Sequence, residues 1–231
     1  MKTDDLEIKK QFLKYLESLI TANKRSLFEQ VISQRTKHLT VVLEDIYQSQ
    51  NASAVLRTCD CFGVQDVHII ENRYNYSVNP DVALGSAKWL NLIKYSEEED
   101  NTLSCYEALR KKGYRIVATT PHRDDIMLDE LELVEKTALV FGTELEGLSD
   151  RAIANADAYV KIPMYGFTES FNISVSAAIA LHHLSEKLRR SEINWQLSEE
   201  EMIDTRILWA MSVVKHSDKH EKAFRKKQGL N

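Results

Sequence analysis

The sequence predicts a parallel α/β domain with helical extensions at both ends, and three observations carry that reading. Between residues 39 and 192, short apolar runs alternate with amphipathic stretches of helical period. Strands covered by helices on both faces read as such continuous runs. The segments on either side show helical spacing and no strand-like run. No internal repeat, low-complexity tract or Gly/Pro-rich linker divides the chain, so one core with appendages is the simplest organisation.

Each element follows from its local pattern. Phe12, Leu13, Leu16, Leu19 and Ile20 form one apolar stripe of a first helix, and a second short helix runs from about Arg25 to Gln34. These make a helical N-terminal extension over 1–38. Leu39–Leu43 is the first strand, followed by a helix over 52–62; Val67–Ile70 is the second strand. Residues 71–95, with Pro80 and Gly85, read as a looser region. A helix over 103–112 leads into a strand at Tyr114–Thr119, and a strand at Ala138–Phe141 leads into a helix over 149–156. A strand at Ala158–Ile162 precedes a long helix near 172–190, and a basic helical extension fills 193–231.

Composition excludes several classes. The 231 residues are 43% apolar and 28% charged, with no run near the roughly 20 apolar residues that span a bilayer. The start, Met1-Lys2-Thr3-Asp4-Asp5, lacks an apolar signal region, so a cytoplasmic location is expected. Cys59, Cys61 and Cys105 are too few and too unevenly placed for a disulfide framework or a zinc site, so reduced thiols and no metal are expected. The net charge of −5 argues against a polyanionic partner until the chain is divided. Residues 1–40 carry +3, residues 206–231 carry +5 and the middle carries −13. Basic arms around an acidic body suit a nucleic-acid partner, although solvated terminal helices with a chance excess would look the same.

Only seven glycines and three prolines occur, so their placement is informative. Gly142 and Gly147 directly follow a buried run, in Phe141-Gly142-Thr143-Glu144-Leu145-Glu146-Gly147-Leu148. Ligands of open parallel sheets bind at the carboxyl ends of strands, where glycine admits a close backbone approach. The spacing nearly fits a phosphate-binding loop, but Leu148 takes the place of its lysine, and no G-x-G-x-x-G occurs. A nucleoside triphosphatase or a dinucleotide dehydrogenase is therefore disfavoured, and a plain strand-to-helix turn stays open. Ile162-Pro163-Met164-Tyr165-Gly166 ends another strand, where Pro163 stops pairing and Gly166 permits a reversal. Asn172 stands where a helix cap would, and Ala177, Leu181, Leu184 and Leu188 stripe the helix behind it beside the small residues Ser174 and Ala178. That face is a core or a helix–helix interface. In Gln50–Gly63, Val55, Cys59 and Phe62 should face the sheet. Asn51 has a capping alternative, and Arg57 has Asp60 as a surface partner at i+3.

Together these three segments resemble the SpoU/TrmH family of RNA ribose 2′-O-methyltransferases. The resemblance rests on Asn51, Arg57 and Gly63, on Gly142-x-Glu144-x-x-Gly147, and on Ile162–Gly166 followed by Ser170-x-Asn172-x-Ser174, across about residues 40–190. Phe171 stands where the family usually has Leu, and Cys59 and Cys61 where it has small apolar residues. The resemblance implies a SPOUT fold, with a C-terminal trefoil knot, a homodimer whose active site draws on both subunits, and S-adenosylmethionine as cofactor. It also implies a cofactor site of Thr119, Gly142, Glu144, Ile162, Met164, Gly166, Ser170 and Asn172, and a catalytic set of Arg57, Asn51, Glu144 and Ser170. The short N-terminal extension and basic C-terminus resemble the branch that methylates a guanosine ribose in the tRNA D loop; ribosomal RNA, another tRNA position, and a non-catalytic RNA-binding dimer are the alternatives.

The family assigns Arg57 the activation of the 2′-hydroxyl. A guanidinium stays protonated at physiological pH, so a phosphate anchor that stabilises the developing alkoxide fits its chemistry better than a literal base. tRNA phosphates are then expected at Lys215, Lys219, Lys222, Arg225, Lys226 and Lys227, with Lys24, Arg25, Arg35 and Lys37 as further contacts. Trp209, His216 and His220 are candidates for stacking on bases, with Trp209 equally a core residue.

Overall fold

The computed structural model describes residues 5–76, 85–120 and 126–229. Two compact units are present: Thr36–Trp195, and a second built from both chain ends, 1–35 with 196–231.

Among the described residues the larger unit holds a seven-stranded sheet in the order β3-β2-β1-β6-β4-β7-β5, with every adjacent pair parallel. Its strands are β1 (Leu39–Glu44), β2 (Asp66–Ile70), β3 (Asn91–Tyr95), β4 (Tyr114–Thr119), β5 (Ile126–Met127), β6 (Lys136–Phe141) and β7 (Ala158–Lys161). The central strands explain their unbroken apolar sequence: Leu39, Val41 and Leu43 of β1 enter one core layer, while Val42 enters the other. The helices of this unit are α3 (Ser49–Phe62), α4 (Asn101–Lys111), α5 (Asp150–Ala154) and α6 (Ile173–Arg189). α3 and α6 share one layer, through Val55 and Cys59 on α3 and Ala177, Leu181, Leu184 and Leu188 on α6, with Phe62 partly buried against it. α4 and α5 serve the other face through Cys105, Tyr106, Leu109 and Ala152.

The structure corrects the reading of 71–95. A short 3-10 turn at Ser86–Trp89 introduces β3, which pairs along its length with β2. As an edge strand of mixed polarity, Asn91-Leu92-Ile93-Lys94-Tyr95 is only half-buried, so it lacks the apolar signature of its neighbours. β5, two residues long, carries no sequence signature either. Pro80 lies outside the described residues.

In the smaller unit, α1 (Leu6–Ser18) and α2 (Ala22–Ile32) meet α7 (Glu199–Val213) and α8 (Ser217–Lys227). Phe12, Leu13 and Leu16 are buried as expected, but Leu19 lies past the end of α1 and is exposed. Lys9 donates to both Glu200 and Asp204 at 2.9 Å, and the Phe12 and Phe224 rings sit 5.0 Å apart. No helix among the described residues is long and apolar enough to cross a membrane.

One buried titratable group gives the larger unit a pH signature. His68 of β2 faces Tyr95, 3.1 Å from its hydroxyl, and burial, aided by the charge of Lys112, pulls its pKa from 6.5 down to about 4. The unfolded chain therefore takes up a proton below about pH 6.5 that the folded chain refuses until about pH 4, so stability is lost as the pH drops through that window. Urea unfolding at pH 5 against pH 7 is expected to show a loss of about 2 kcal/mol from this residue, and His68→Phe should lose correspondingly less. Equal losses in both proteins would assign the acid sensitivity elsewhere.

Candidate active site at the strand ends

The carboxyl ends of β1, β6, β4 and β7 adjoin in the sheet, and the three sequence segments meet there. The Gly142–Gly147 segment closes on itself: the Thr143 amide donates to the Gly147 carbonyl at 2.9 Å and the Gly147 amide returns a bond at 3.1 Å. That closure leaves no space for a side chain at the first glycine, because a Cβ on Gly142 would lie 2.2 Å from the Gly147 carbonyl oxygen. Gly147 itself has φ +71°, in the left-handed region. Both glycines of the motif are thus steric requirements of one tight loop.

A buried carboxylate fixes where that loop ends. Glu44, the last residue of β1, accepts from the Ser149 amide (2.9 Å), the Ser149 hydroxyl (2.8 Å) and the Thr102 hydroxyl (2.7 Å). Ser149 in turn caps α5 by accepting from the Ala152 amide. The apolar pattern ends the strand at Leu43 and passes over Glu44; a carboxylate closing an apolar run at a strand's carboxyl end is the signal that marks it.

Asn172 joins the other two segments. Its side-chain oxygen caps α6, accepting from the Ser174 amide at 2.9 Å and the Ser174 hydroxyl at 2.6 Å. Its side-chain NH2 donates to Asn51 Oδ1 at 3.2 Å and to Glu144 Oε1. The capping reading of Asn172 therefore holds, and the same side chain links the Asn51 and Glu144 segments. Asn51 is no cap: it lies inside α3, buried, and donates to Gln48 Oε1 at 2.8 Å. Gly63 ends that helix with φ +78°.

Beside this cluster lies a cavity of about 320 Å³. Leu128, Phe141, Ile162 and Ile173 give it an apolar lining, and Glu144 and Glu169 bring carboxylates to it. Of the expected cofactor residues, Thr119, Gly142, Glu144, Ile162, Met164 and Ser170 line the cavity. Thr119 is fixed by donating its hydroxyl proton to the Val140 carbonyl at 2.8 Å. Gly166 and Asn172 do not line it, although Asn172 holds Glu144, which does. Leu128 and Ser176 are lining residues outside the motifs.

Arg57 is not among the residues that line this cavity. It is exposed on α3, and six positions after Asn51 places it about 120° around the helix from that residue. Cys59, Cys61 and Cys105 form no disulfide among the described residues, and no group of potential metal ligands forms among them.

The basic residues divide by exposure. Arg25, Lys215, Lys219, Lys222, Lys226 and Lys227 are exposed, and Lys24 and Arg225 are half-exposed. Lys37 is half-buried, 3.9 Å from Asp66. Arg35 corrects the charge-based reading: its side chain is buried, with the guanidinium 5.3 Å from the ring centre of Trp209, and is not presented to a phosphate. Trp209 is a core residue, 5.4 Å from Phe28, and His220 is occupied by the Tyr15 hydroxyl at 2.7 Å.

Comparison with known proteins agrees with this geometry. Residues 38–182 match the model of the SpoU rRNA Methylase family. The chain is 47% identical over 201 residues to the tRNA (guanosine(18)-2′-O)-methyltransferase of Borreliella burgdorferi, covering 87% of this chain and 90% of that protein. It is 34% identical to the enzyme of the same name from Thermus thermophilus, over 70% of this chain and 81% of that one. The crystal structure of the A. aeolicus TrmH/SpoU tRNA modifying enzyme superimposes with a TM-score of 0.74 at 31% identity, over 84% of this chain and 98% of the other. A match through most of the α/β unit, and a close relative aligned along nine-tenths of its length, support one conclusion: the chain belongs to the SpoU methylase family.

Proposed function

We propose that the chain is an S-adenosylmethionine-dependent tRNA ribose 2′-O-methyltransferase that modifies the D-loop guanosine, working without metal in the cytoplasm as a homodimer. The observation that carries this reading is the convergence of Asn51, Glu144 and Asn172 on one another beside the strand-end cavity. The residues present fit the cofactor: an apolar lining suits a purine, main-chain groups of the closed glycine loop suit a close ligand, and Glu144 and Glu169 suit a cation. When bound, S-adenosylmethionine supplies an activated methyl group on a sulfonium sulfur.

The protein's own work is alignment and charge. Holding a hydroxyl in line with a methyl donor contributes about 7–11 kcal/mol through effective molarity. Asn172 fixes Glu144 and Asn51 together, so the cofactor loop and the start of α3 keep one geometry. Arg57 binds the phosphate next to the reacting ribose and stabilises the oxygen as its proton leaves to phosphate or water. Its place outside its own chain's cavity supports a site shared between two copies. So does the open apolar face where Phe62, Ile162, Ala178, Ile179 and Tyr165 line a cavity of about 740 Å³. In this reading the turns after β6 and β7 belong to a trefoil knot of the SPOUT type.

The test is transfer of a labelled methyl group to a set of tRNA transcripts, followed by mapping. Label on the ribose of the D-loop guanosine supports the proposal; label confined to another tRNA position or to ribosomal RNA moves it within the family, and no transfer removes it. Substrate grip is tested separately on the exposed lysines of the C-terminus. Deleting α8 would strip Phe224 from Phe12, so charge removal is the cleaner change. Lys219, Lys222, Lys226 and Lys227 replaced by glutamine should weaken tRNA binding and flatten its salt dependence, by up to about 0.9 in log–log slope for each phosphate no longer neutralised. An unchanged slope would clear these residues of a role at the RNA backbone.

A further inference from the structure

Tyr47 and Tyr74 form an exposed ring pair that the proposed reaction does not use. Their centroids lie 5.3 Å apart with planes tilted by 48°, and 41% and 42% of their surfaces stay open. They follow β1 and β2, on the same edge of the sheet as the site. A tilted ring pair at this separation gains about 0.5–1.5 kcal/mol beyond its buried area, and it leaves ring surface open that the fold does not use.

The support under them is densely hydrogen-bonded. Asp45, buried and at φ +54°, accepts from the amides of Asn72 and Arg73 at 2.7 and 2.9 Å. Asn72 donates to the Thr102 hydroxyl and accepts from the Asn101 amide, which ties the Tyr74 loop to α4. Arg73, between those anchors and Tyr74, reaches Glu146 of the glycine loop at 2.6 Å. Tyr47 is coupled from the other side. Gln48 Nε2 donates to its hydroxyl at 3.2 Å, Gln48 Oε1 accepts from Asn51, and Asn51 accepts from Asn172. A continuous hydrogen-bonded path thus runs from the ring pair to the Asn51–Asn172–Glu144 cluster, and an ion pair runs from its neighbour to the cavity wall.

We propose that Tyr47 and Tyr74 are a stacking platform for an unpaired base of the tRNA substrate, adjacent to the nucleotide whose ribose is methylated. This deepens the methyltransferase reading and rests on it. The ligand is recognised by the face of the base, so the platform selects an extruded, unstacked nucleotide rather than a particular sequence. Arg73 is drawn to Glu146, so the rings, not that cation, provide the contact.

The experiment uses the full chain with Tyr47→Ala, Tyr74→Ala, Tyr47→Phe and Tyr74→Trp. Alanine at either position should weaken tRNA binding and raise the tRNA KM by roughly tenfold, within what the loss of one stacked base produces. Melting temperature, dimer population and S-adenosylmethionine affinity should not move. Phenylalanine and tryptophan should restore binding, since they keep a π face. In parallel, 2-aminopurine placed beside the target nucleotide should be quenched on binding wild type and much less on binding the alanine variants. Unchanged tRNA affinity in the alanine variants, or a phenylalanine variant as weak as alanine, would overturn the platform while methylation by the wild type keeps the enzyme reading intact. A shift in dimer population instead would make the pair an interface between copies and overturn it too. Failure of the wild type to methylate tRNA would remove both.

Discussion

Arg57→Lys is expected to lower single-turnover methyl transfer by about a hundred- to a thousandfold, the usual cost of removing one preorganised donor from a developing oxyanion. Lysine keeps the positive charge but loses the planar fork that grips a phosphate with two parallel bonds. The fold should be indifferent: Arg57 is exposed, and a surface change of this kind is usually worth less than about 0.5 kcal/mol. Cofactor affinity should also hold, because Arg57 does not line the cavity. The informative comparison is therefore rate against S-adenosylmethionine binding, measured by rapid quench and by calorimetry. Near-normal rates for the lysine variant would end the case for Arg57 in either role, as base or as anchor.

Gly142→Ala is the second large effect, and it acts on the cavity wall. The added Cβ meets main-chain atoms at 2.2 to 2.4 Å, and no side chain there can move aside. The pair of bonds between Thr143 and Gly147 would have to open, displacing Glu144 from Asn172. Overpacking of this kind costs about 1–3 kcal/mol in stability. Affinity for S-adenosylmethionine is expected to fall by more than tenfold, read by calorimetry beside thermal unfolding. Gly147→Ala is the useful contrast: open space surrounds it, so its cost comes from the left-handed backbone alone. If Gly142→Ala bound the cofactor normally, the loop would not be the cofactor wall.

These two residues also show what a sequence can disclose. The need for Gly142 and Gly147 is local, written in six consecutive residues, and the motif exposes it. The central strands are legible for a similar reason, since burial on both faces leaves an unbroken apolar run. β3 is not, because an edge strand answers to one neighbour and tolerates Asn91 and Lys94. Arg35 shows the limit of counting charge: a guanidinium over Trp209 is indistinguishable in sequence from one facing RNA. Asn172 offers two readings in sequence, a cap or a site residue; geometry shows the cap and, from the other side of the same amide, bonds to Asn51 and Glu144, because an amide carries both donor and acceptor. Glu44 requires knowing that Thr102 and Ser149, far apart in the chain, return to the same strand end.

The four-helix unit has a temporal consequence. Lys9 waits for Glu200 across a separation of 191 residues, and Phe12 waits for Phe224. On a ribosome adding about 5–20 residues per second, the opening helices would emerge some ten seconds or more before their partners exist. The sheet encoded between them has that interval to assemble first, so the earliest segment made is among the last to be secured.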